Sequence, residues 1–114
     1  MSEYHPHGWV VLKIIAPNET LYKVFASWSG GYTQGESWKM NSGITGCYME
    51  VGGDYYYFTG YSGSTYACSK HAYNRINAYN QGILNQLLKD AHTQNCVVTV
   101  MDEDTDWCNM EWAA

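Results

Sequence analysis

The chain has 114 residues, enough for one domain over residues 1–114 with a modest core and no length for a second. Six Lys and Arg stand against eleven Asp and Glu, and the resulting formal net charge of −5 excludes the basic footprint of a protein that binds duplex nucleic acid. At 46% apolar the chain is no disordered polymer, and its longest apolar run, WVVLKII, is too short to span a bilayer.

The opening MSEYHPHG lacks the basic start and apolar stretch of a secretory signal, so the expected location is the cytosol. GWVVLKII (Gly8 to Ile15) reads as a buried strand that stops at Pro17-Asn18. TLYKVFASW (Thr20 to Trp28) is a second strand, paired with the first as a hairpin across APNE. SGGYTQGES (Ser29 to Ser37) follows as a glycine-rich loop, and WKMNSG as a short extended piece. ITGCYMEV and DYYYFTG are strands joined by a two-residue turn at Gly52-Gly53, where both glycines accept positive φ. STYACSK continues that meander. Tyr79, Ile83, Leu87 and Ala91 step by four, with Ile76, Leu84 and Leu88 widening the stripe, which predicts a helix. Ser69 and Asn77 both qualify as its cap, and Gly82 weakens it by ~1 kcal/mol unless something packs closely there. CVVTVM (Cys96 to Met101) reads as an inner strand, and MDEDTDW (Met101 to Trp107) as a solvated acidic run or a patch for a basic partner. The expected class is α+β, a mostly antiparallel sheet of about five to six strands with one main helix packed on one face.

An enzyme of this size should show a nucleophile with a base, a carboxylate pair or a metal cluster. The pair His5 and His7 has no second pair at metal spacing, so neither a metal nor another cofactor is expected. Cys68 and His71 read as a structural cysteine beside a surface histidine, and Glu50 and Asp54 as ordinary residues flanking a turn. Four cysteines without a C-x-x-C pair read as free thiols of a reducing compartment. No Walker or G-x-G-x-x-G pattern occurs, and the expectation is a protein without catalytic turnover.

Binding has more support. Eleven Tyr and five Trp against two Phe favour half-wet surfaces, since Tyr and Trp carry a polar handle. SWSGGYTQG (Ser27 to Gly35) and GYSGSTY (Gly60 to Tyr66) share a composition, and both serve equally as plain turns or as loops that meet around a ligand. In the ligand reading Trp38, Tyr61 and Tyr66 stack on a base or ribose, while Asn41, with Ser42 beside it, reads a polar edge. Ser62, Ser64 and the Gly63 backbone take phosphate oxygens, and Lys70 or Arg75 supplies charge, with Lys39 also near.

The stretch from Trp38 to Lys70, followed by NAYNQGILNQLL, resembles a family of small, largely uncharacterised proteins of tailed bacteriophages. The resemblance lies in Trp38, Asn41-Ser42-Gly43-Ile44, an aromatic hairpin, Gly60-Tyr61-Ser62-Gly63-Ser64, Tyr66, Cys68 and Lys70. It implies a small protein acting in the cytoplasm of an infected bacterium, and such proteins often counter host defence. The leading expectation is an anti-defence protein that sequesters a small nucleotide-derived immune signal, of cyclic oligonucleotide or ADP-ribose type, in a homodimer or larger assembly. The alternative is an inhibitor that grips a host defence protein through its aromatic surface and the acidic run.

Overall fold

The computed structural model describes residues 3–31 and 35–112. The expected α+β class stands, with one main helix and antiparallel-dominated strands, eight of them in two four-stranded sheets. In the hairpin sheet, β2 (Gly8–Ala16) pairs with β3 (Glu19–Gly31) from Gly8↔Ser27 to Ala16↔Glu19, so the turn at Pro17-Asn18 forms as its sequence requires. β4 (Gly35–Met40) and β8 (Val97–Val100) complete this sheet in the order β4-β3-β2-β8. The meander sheet runs β1-β7-β6-β5, built from β5 (Ile44–Tyr48), β6 (Tyr55–Gly60) and β7 (Thr65–Ser69), with the two-residue β1 (Glu3–Tyr4) added in parallel.

Strand β2 explains the layering. Trp9, Val10, Val11 and Leu12 are all buried, which requires cover on both faces of the sheet. Trp9 lies 5.4 Å from Phe58 and 5.9 Å from Trp107 on the side of the meander sheet. On the opposite face sits α1 (Ala78–Ala91), anchored by Asn80, whose Nδ2 donates to Ser27 Oγ and to the Ser37 carbonyl, each at 2.8 Å. The result is three layers, helix on sheet on sheet. Asn77, not Ser69, caps the helix: its Oδ1 accepts from the Asn80 N–H at 2.8 Å.

Three local expectations change. CVVTVM is an edge strand, pairing with β2 alone and leaving Val97 45% exposed; a short apolar run does not record whether a second neighbour exists. At the β5–β6 connection only Gly52 has positive φ, +72°, and the Gly53 N–H donates to the Glu50 carbonyl, so the turn centres on Val51-Gly52 inside a six-residue loop, Met49 to Asp54. The glycine-rich loop shortens too, because β3 extends to Gly31 and β4 begins at Gly35; Tyr32, Thr33 and Gln34 lie outside the described residues.

Candidate functional site

The segment that meets Gly60–Ser64 is Asn41–Gly43, not Ser27–Gly31, the described part of its compositional counterpart. Gly43 and Gly60 let Asn41–Gly43 and Gly60–Ser64 interlock: a side chain at Gly43 would strike the Tyr61 ring at 2.7 Å, and one at Gly60 would press on Ser42 Oγ at 3.2 Å. The contact and the turn consume the backbone donors from Gly60 to Gly63. Gly60 N–H donates to the Ser64 carbonyl, Tyr61 N–H to the Gly43 carbonyl, Ser62 N–H to Ser42 Oγ and Gly63 N–H to the Gly60 carbonyl. Gly63, at φ +89°, therefore forms a turn rather than an anion cradle.

The remaining predicted ligand residues scatter. Asn41 is buried, its Oδ1 accepting from Val24 N–H at 2.9 Å while its own N–H donates to the Val24 carbonyl, so it extends the β3–β4 ladder instead of facing a ligand. Tyr66 is 1% exposed, 5.0 Å from Tyr4 in the core, and burial pushes its hydroxyl up to about 12. Trp38, opposite Ser27, stacks on Phe25 at 5.4 Å on the face that carries α1. Lys70 lies beyond the far end of β7, roughly 20 Å of extended chain from Ser64, with its ammonium over the Tyr56 ring at 5.5 Å. Arg75 is exposed beside Gly8, at the opposite end of the β2–β3 hairpin from Leu21 and Gly43. Ser27 to Gly31 is strand, and Gly31 lies roughly 30 Å along β3 from Leu21. Sequence reasoning joined these residues because composition carries no information on which strand ends share an end of the molecule.

What remains beside Tyr61 is an open groove of about 550 Å³, lined by Asn18, Glu19, Thr20, Lys23, Ser42 and Tyr61. A smaller apolar groove of about 180 Å³ lies between the C-terminal half of α1 and the hairpin sheet, among Leu12, Ile14, Met40, Leu87 and Val98.

A cluster of tyrosines occupies the outer face of the meander sheet. Alternation along β6 sends Tyr56 and Phe58 inward to Trp9 and Tyr55, Tyr57 and Thr59 outward. Tyr48, opposite Tyr57, joins them: the two rings stack at 5.0 Å and 13°, with Tyr55 6.5 Å from Tyr57. Tyr48 is 53% and Tyr55 43% exposed, and Met49 and Val51 on the adjoining loop are exposed as well. Thr45 and Thr59 hydroxyls share a hydrogen bond at 3.0 Å on the same face. Desolvation, then the negative charges of Glu50 and Glu3, push the Tyr57 hydroxyl above its ordinary value, so the patch carries an acidic surround. None of these tyrosines was singled out from the sequence, although the spacing Tyr55-x-Tyr57 in a strand announces two rings on one face.

Among the described residues there is no group of three His, Cys, Asp or Glu that could hold a metal, and no helix is long and apolar enough to cross a membrane. Compared with protein-family models, curated proteins and solved structures, the chain finds no match.

Proposed function

We propose that this protein acts by binding, without turnover, and that its docking surface is the outer tyrosine face of the meander sheet, taken up by a protein partner with a basic surface. The observation that carries this reading is the cluster of exposed Tyr48 and Tyr55 with half-buried Tyr57, on a sheet face that none of the described elements covers. Tyrosine gives large contact area at low entropic cost and a hydroxyl for hydrogen bonding, and it is enriched where proteins meet. Because Tyr48 and Tyr57 cover one face of each other, fewer open ring faces are left for a base or sugar to stack upon, which favours protein docking. Glu3 and Glu50 beside the patch, and the net charge of −5, favour arginine and lysine opposite. Set beside the resemblance to small phage proteins, the partner class is a host defence protein.

Sequestration of a nucleotide-derived signal is the second reading, favoured by the groove where Lys23, Ser42 and Tyr61 converge. One preparation tests both. The wild-type chain and a Tyr48→Ser, Tyr55→Ser, Tyr57→Ser variant are each purified from phage-sensitive bacteria with an activated nucleotide-signalling defence. Co-purifying proteins are then identified, and heat-released small molecules are weighed by mass spectrometry. A basic-surfaced partner whose affinity drops at least ~100-fold in the variant, at unchanged Tm, supports docking. Stoichiometric nucleotide retained by both forms moves the function to the groove. A partner held equally by both removes the tyrosine face from the account.

A further inference from the structure

Cys47 and Cys108 bring their sulfurs to 3.7 Å across 61 residues of sequence, both half-buried. Cys47 projects inward from β5, opposite Phe58, and Cys108 lies in a single 3-10 turn, Trp107–Asn109, whose Trp107 is buried against Trp9 and Phe58. We infer that Cys47 and Cys108 are a modification site, a dithiol that exchanges with a small-molecule disulfide to form an intramolecular bond pinning the C-terminal segment to the meander sheet.

The geometry favours this pair over the other thiols. Cys68 is fully buried with no sulfur in bonding range, and Cys96 lies at the other sheet, where its Sγ approaches only the Gln94 carbonyl. Sulfurs in van der Waals contact need only a modest side-chain rotation to reach bonding distance, and neither cysteine sits at a glycine-like backbone conformation that would resist it. Burial, and then the neighbouring Cys108 sulfur, raise the Cys47 thiol far above its ordinary value. Exchange runs in two steps: one cysteine of the pair, as thiolate, displaces one thiolate from the small disulfide and is left as a mixed disulfide. The other then loses its proton to solvent, and its sulfur attacks the mixed disulfide at the protein sulfur and displaces the second small thiolate. Two cysteine thiols are oxidised by two electrons to one disulfide, the small disulfide is reduced to two thiols, and those thiols take up the two protons.

The consequence is mechanical. The segment after β8 carries Trp107 and Trp112, stacked 6.4 Å apart, and it closes one end of the space between the sheets without joining either by a strand. A covalent link at Cys108 removes the freedom of that segment in the unfolded chain.

The test uses the full wild-type chain. After incubation with oxidised glutathione the protein is unfolded in denaturant and alkylated without reduction, weighed intact, digested and mapped, and the Tm of an unalkylated portion is compared with the reduced form. The expected product is lighter by two hydrogens before alkylation, takes up label only at Cys68 and Cys96, yields a Cys47–Cys108 linked peptide, and melts roughly 10 °C higher. Cys47→Ser, run in parallel, should stop at a glutathione adduct on Cys108. Label at all four cysteines, a persistent glutathione adduct on the wild type, or a bridge to Cys68 or Cys96 would overturn the assignment. A bridged chain with no rise in Tm would overturn the pinning.

Discussion

Tyr73 shows how a single residue ties three segments. Its hydroxyl donates to the Met101 carbonyl at 2.6 Å and accepts from the Val11 N–H at 3.2 Å, while its ring lies edge-on to Trp9 at 4.7 Å. Burial is the main cause that pushes this hydroxyl to about 12, against a value near ~10 for tyrosine in an unfolded chain. The unfolded chain therefore gives up this proton first, and the stability it confers is complete below ~10 and disappears as pH rises toward 12. Tyr66, pushed to about 12 by burial, acts in the same direction. Denaturant titrations should accordingly show a fall in stability across pH 10 to 12. Tyr73→Phe should lessen that fall and cost about 1–3 kcal/mol at pH 7, because the Val11 N–H loses its acceptor. A pH profile identical to wild type would refute the assignment. Little of this residue's role was visible beforehand, since no local pattern tells a core tyrosine from a surface one. The same blindness placed Tyr66 and Asn41 in a ligand site, when their side chains serve the core and the β3–β4 ladder.

At the scale of the element, helix α1 was legible because its signals are local. The stripe from Ile83 through Leu84 and Leu87 faces the hairpin sheet, and the asparagines that make a poor helix interior turn out to be its cap and its anchor, Asn77 and Asn80. Gly82 has no such excuse. A Cβ built there meets nothing within 4 Å, so Gly82→Ala should stabilise the protein by about 0.5–1 kcal/mol through helix propensity and the entropy of the unfolded chain. A urea midpoint that stays put or falls would mean that the position serves a contact outside this chain. Strands β2, β3, β5, β6 and β7 were likewise legible from period and turn chemistry, and the β2–β3 hairpin forms in the expected place. The Gly52-Gly53 connection was misread because its dipeptide allows a tight hairpin, whereas the strands part earlier, at Tyr48 and Tyr55, and only Gly52 needs its freedom.

The whole molecule is held together between its sheets by an aromatic cluster. Trp9, Phe58, Tyr73, Trp107 and Trp112 lie within about 6 Å of one another in successive pairs, and Trp107 and Trp112 reach this cluster from the end of the chain. The acidic run is therefore an exposed loop that leads into the core, with Asp102, Glu103, Asp104 and Asp106 outside and Trp107 2% exposed. Trp107→Ala should cost about 3–5 kcal/mol, a large share of the ~5–15 kcal/mol typical of a domain, measured as a drop in urea midpoint. A loss below 1 kcal/mol would show that the C-terminal segment is not part of the core.

Composition, period and turn residues by themselves determined the class, the helix, most strands and the net negative charge, because none of these depends on pairings across the chain. Only the tertiary structure decided that the strands divide into two sheets, that the backbone N–H groups from Gly60 to Gly63 are taken up within the protein, that Lys70 and Arg75 lie far from them, that Cys47 meets Cys108, and that Tyr48, Tyr55 and Tyr57 share the outer face of the meander sheet. Those outcomes rest on pairings across tens of residues, where burial of Trp9 and its partners selects one arrangement and the local sequence is compatible with several.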